Sequence, residues 1–139
     1  MSQKIFLVKY TLENDVPIDE TSENLQSAYI PDEMLDWLKE NNWSCEIEIK
    51  ESKGVAPDIP VTIIDDSKNG CSKGVISHIE NRIVTCIQET NGHISDGILV
   101  AKEIDRDFKI LLVWLKVREI LKEKEERYIE NPNVKIVVG

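Results

Sequence analysis

Residues 106–131, RDFKILLVWLKVREILKEKEERYIEN, constrain the fold more than any other stretch. Ile110, Val113, Trp114, Val117 and Leu121 recur at helical spacing, and Leu111, Leu112 and Leu115 widen that stripe past half the circumference. A helix this apolar is either sandwiched in the core or carries a second face for a partner. A homodimer through the helix containing Trp114 is therefore one arrangement the sequence allows. Asp105 suits the cap of this helix, Glu123 and Arg127 stand at i,i+4 spacing near its end, and Asn131-Pro132 stops it.

The rest of the chain must receive that helix. KIFLVKYTL (4–12) is rich in β-branched and aromatic residues and reads as a strand. The acidic, weakly periodic stretch 13–29 reads as a long exposed loop. A helix follows over 31–42, with Pro31 at its start, Met34, Leu35 and Leu38 as its apolar stripe, and an asparagine pair at its end. WSCEIEIKE (43–51) alternates as a half-buried strand, and IPVTIID (59–65) reads as a buried one. Val75, Ile76, Ile79, Ile83, Cys86 and Ile87 predict a helix over 74–90. GILVAKEI (97–104) is a short apolar run, read as a strand, and VKIVV (134–138) is the last strand.

The expected architecture is a single α+β domain in the order β-α-β-β-α-β-α-β. Its sheet is mainly antiparallel, with helices on one face, and the first six elements match a ferredoxin-like split βαβ unit. At 139 residues the chain is long enough to bury a real core. It shows no run near 18 apolar residues and no secretory segment, so a soluble, cytoplasmic protein is expected. Cys45, Cys71 and Cys86 then read as free thiols.

Charge carries the functional reading. Residues 1–66 hold 15 acids against 5 bases, net −10, while 67–139 are net +1. Within 13–40, nine acids face Lys39 alone. Such a field repels nucleic acid and anionic membrane, and it speeds encounter with a basic protein. The expected docking residues are Asp19, Glu20, Glu23, Asp32, Glu33, Asp36 and Glu40. Trp37 and Trp43 bracket the end of the acidic helix; they serve as aromatic anchors where exposed, or pack in the core.

VTIIDDSKNGCSKG (61–74) is the stretch that most looks like a chemical site. Asp65 and Asp66 end a strand and could hold a divalent metal for phosphoryl or phosphodiester chemistry, which is the alternative function. Metal sites need further oxygens from other elements, and here the obvious helpers are Asp58 and the distant Asp96, Asp105 and Asp107. NGCSKG leads into a helix, whose free N–H groups favour anions, but the P-loop spacing is absent and Asn69-Gly70 is first a turn signal. No C-x-x-C and no triad spacing of His78, His93 and the cysteines is present, so neither a cofactor nor a catalytic residue is implied. The reading is a small acidic binding protein that occludes a basic partner. An immunity protein against a toxin nuclease, or a phage-type inhibitor of a nucleic-acid-binding enzyme, would work this way.

Overall fold

A computed structural model describes residues 3–51, 58–65, 74–97, 101–129 and 131–139. The elements are β1 (Gln3–Glu13), β2 (Val16–Ile30), α1 (Asp32–Glu40), β3 (Ser44–Lys50), β4 (Asp58–Ile64), α2 (Val75–Ser95), α3 (Ala101–Arg127) and β5 (Val134–Val138). The protein is α+β, with a five-stranded mixed sheet and three helices among the described residues. The strands close into a barrel in the order β1-β2-β3-β4-β5, with β5 returning to β1. Four pairings are antiparallel; β2 meets β3 in parallel, at Ile18 and Lys50.

Two expectations about elements are corrected. Residues 13–29 are not a loop: β1 turns at Asn14-Asp15 straight into β2. Both turn residues have positive φ, 52° and 66°, which is the two-residue hairpin geometry that matches strand twist. Asp, Glu, Asn and Ser disfavour strands in isolation, but β1 supplies the pairing partner that composition does not reveal. Likewise the strand expected over 97–104 is not found in its described part, 101–104, which is helix. Helix α3 already runs from Ala101, while 98–100 lie outside the described residues. Asp105 is therefore inside the helix, ion-paired to Lys109 at 2.9 Å, and is not its cap.

The observed order is β-β-α-β-β-α-α-β. A split βαβ unit needs a helix between its first two strands, and a two-residue turn takes that place here, so the ferredoxin-like topology does not hold. Register shifts in the β1–β2 ladder at Leu7/Val8 and Lys9/Thr11 add local twist, which helps five strands curl into closure.

The ladder partners sort side chains by face. Ile5 and Leu7 of β1, Ile30 of β2, Ile64 of β4 and Ile136 of β5 share one side, and all are buried under the helices. Met34 and Leu38 of α1, Ile76 and Ile79 of α2, and Trp114, Val117 and Leu121 of α3 complete that core. All three helices thus share one core with this side of the sheet. Among the described residues, no helix is long and apolar enough to cross a membrane.

Candidate functional site

Helix α1 carries the acidic feature with the clearest geometry. Asp32, Asp36 and Glu40 recur at i,i+4 spacing and all three are exposed. Met34 and Leu38 on the opposite side anchor the helix, so the carboxylate stripe must face outward. Asp32 and Glu33 sit in the first turn, where the helix dipole favours them. The dipole does not account for Asp36, and it opposes Glu40 at the last helical position. Like charges at i,i+4 oppose the helix further.

Glu33 differs from the stripe. Its carboxylate pairs with Arg82 of α2 at 2.9 Å, so it ties α1 to α2. Asp19, Glu20 and Glu23 are exposed on the first half of β2. The Glu20 N–H donates to the Glu51 carbonyl at 3.1 Å, which places that end beside the end of β3. Asp19 lies close enough to Tyr10 that its charge, after burial, helps push the phenol up to about 12. The β1 partners of Glu23 and Ile30, Lys9 and Gln3, are six residues apart, about 20 Å along a strand. The expected docking residues therefore form two acidic groups, one at the start of β2 and one on α1 beyond its end.

Both tryptophans pack against the core cluster and are half-buried. Trp37 stacks on His78, with ring centroids 4.1 Å apart and planes 8° from parallel. Burial holds the His78 imidazole below its usual range; Glu33 opposes that shift and Arg82 adds to it. Trp43 lies over Gly74, and a Cβ at that position would collide with the indole. A glycine that could have opened the start of α2 to an anion is instead covered by a side chain.

Asp65 stands at the end of β4, where its N–H donates to the Trp43 carbonyl at 2.7 Å. The Cys45 thiol nearby is pushed up, by burial first and then by Asp65, against an opposing effect of Lys135. Asp66, Asn69, Gly70 and Cys71 lie outside the described residues. Among the described residues, no three His, Cys, Asp or Glu side chains gather as a metal site would require. His78 and His93 are far apart in role: His93 Nδ1 contacts Asp107 Oδ2 at 2.7 Å across the α2–α3 hairpin.

Single-residue reading misses a cleft beside α1. Asp32, Glu33 and Glu89 rim it, with Arg82 as the opposing cation; Cys86, Ile110 and Trp114 make its apolar wall, and its volume is about 580 Å³. Burial pushes the Cys86 thiol up, against an opposing effect of Arg82. Glu89 and Arg82 lie off the apolar stripe of α2, on its polar side. No local signal says that its polar side meets the start of α1. Comparison with protein-family models, with curated proteins and with solved structures found no match for this chain.

Proposed function

We propose that this protein works by binding. The carboxylates of α1, with the adjoining acidic cleft, meet lysine and arginine side chains of a basic protein and block the surface that protein uses. A nuclease or another nucleic-acid-binding enzyme presents such a surface, because it must itself attract phosphate. The observation that carries the reading is the exposed stripe Asp32, Asp36 and Glu40, whose second half is unfavourable to its own helix. A solubilising face needs no such alignment.

The cleft adds a place for one cationic side chain. Its three carboxylates exceed its one arginine, and its apolar wall suits the aliphatic stem of a lysine or arginine. Charge of this kind raises the association rate most, and its effect fades with salt. The group at the start of β2 would extend the field and steer encounter, with less to do in the final contact.

The test compares the protein with a variant carrying Asp32→Asn, Asp36→Asn and Glu40→Gln. Both are immobilised, exposed to extract from the native host, and eluted in salt steps. The expected result is a basic protein retained by the wild type, released at on the order of 0.5 M salt where screening is nearly complete, and lost with the variant. Equal retention by the two would remove α1 from the docking surface and end the reading.

A further inference from the structure

The α2–α3 hairpin has an apolar face that the core does not use. Val84, Ile87 and Ile94 form one stripe on α2, and Phe108, Leu112 and Leu115 form one on α3; all six are 42–57% exposed. Spacings of i,i+3,i+10 and i,i+4,i+7 keep each set on one side of its helix. Two contacts fix the register between the helices: the hydrogen bond between His93 Nδ1 and Asp107 Oδ2 at 2.7 Å, and the ion pair of Glu80 with Arg118 at 3.4 Å. That register sets Val84 level with Leu115 and Ile87 level with Leu112, with Phe108 between the levels of the exposed Asn91 and Ile94.

Helical geometry also shows which way the stripes face. Around α3, the core residues Val117 and Ile120 give way to Trp114 and Arg118 on the α2 side, and then to the exposed stripe. The same sequence of faces holds around α2. The two stripes therefore lie side by side on the surface of the hairpin remote from the sheet. Helix α1 docks on the other side of α2, through Trp37 with His78 and Glu33 with Arg82.

We propose that this face joins a second copy of the same chain, hairpin against hairpin, about a two-fold axis. The area fits. Six large side chains at this exposure leave on the order of 500 Å² of apolar surface, near the top of what a monomer keeps as its largest patch. With a polar rim, that approaches the ~800 Å² each partner gives to a standard interface. The charge fits as well. The rim residues Glu80 and Arg118, and Asp105 and Lys109, are paired within the chain, and Glu119 and Lys122 beside Leu115 are of opposite sign. Residues 67–139 are net +1, whereas contact through the first 66 residues would set net −10 against net −10. The dimer leaves the α1 stripe open, and its existence is independent of the proposed function.

Sedimentation equilibrium or light scattering between about 1 and 100 µM, a range that brackets micromolar affinity, tests the proposal. The expected mass is twice that of one chain. Leu112→Glu should return it to that of one chain, with the helical circular dichroism and the melting temperature kept, because the side chain is exposed. If Leu112→Glu does not fold, the double variant Val84→Gln and Ile87→Gln reads the same face from α2. A wild type that stays monomeric throughout, a mass above two chains, or a dimer that survives the folded variants would overturn the proposal.

Discussion

His78 shows how much of a side chain's chemistry is set by neighbours distant in the chain. Its ring is stacked on Trp37 and meets Trp114 edge-on at 6.5 Å, and its Nε2 is buried with no hydrogen-bond partner among the described residues. Burial therefore disfavours the charged form, and the imidazole titrates below its ordinary value of 6.5. The unfolded chain takes up the proton first on acidification. The contribution of His78 to stability is thus complete above about pH 6.5 and is lost as pH falls from there through the lower folded value. Thermal melts of wild type and His78→Phe across pH 7.5 to about 4.5 check this against the reference histidine value. The phenyl ring keeps the stack and removes the proton, so the wild type should lose more stability on acidification than the variant does. Parallel curves would show that the stack tolerates imidazolium. The stack of His78 on Trp37, 41 residues away in the chain, has no local signature.

At the scale of elements, α1 was legible nearly to the residue and β2 was not. Pro31, the first-turn acids, the Met34–Leu38 stripe and the closing asparagines are all local signals, and α1 lies within the range they mark. The helix also keeps two charges that its own stability does not favour. Glu40→Gln should raise the melting temperature, by the equivalent of about 0.5 kcal/mol, because it removes a like charge from Asp36 and an anion from the negative helix end. The same change should weaken partner binding, so a calorimetric melt and a binding assay on one variant should move in opposite directions. Strand β2 offered no such signal. Its only strong cue was Asn14-Asp15, and its acidic interior reads as coil unless the chain that pairs with it is known. The run 97–104 failed in the opposite way: a short apolar stretch fits either period, and its length could not decide between them.

For the whole molecule, charge acts on shape as well as on partners. A net charge of −9 repels itself, and most of the excess sits in the first 66 residues. The ion pairs among the described residues, such as Glu33 with Arg82 and Glu80 with Arg118, are largely exposed and individually weak. Self-repulsion should therefore outweigh them, and the melting temperature should rise by a few degrees as sodium chloride goes from about 20 to 300 mM, the range over which the screening length falls below 10 Å. A fall over that range would mean that internal pairs dominate the field.

What the sequence determined by itself is what depends on near neighbours along the chain. It marked six of the eight segments, one of them, α2, short of its full length, and a seventh, the long helix, in all but its start. It also set the apolar stripes that became the core, and the concentration of acid before residue 67. The tertiary structure decided what depends on pairing. It turned 13–29 into a strand, closed the sheet, divided the acids between the start of β2 and α1, covered Gly74 with Trp43, and left one face of the α2–α3 hairpin uncovered. The physical reason is that periodicity tells which side of an element is apolar, while the partner that covers that side comes from residues far away in sequence.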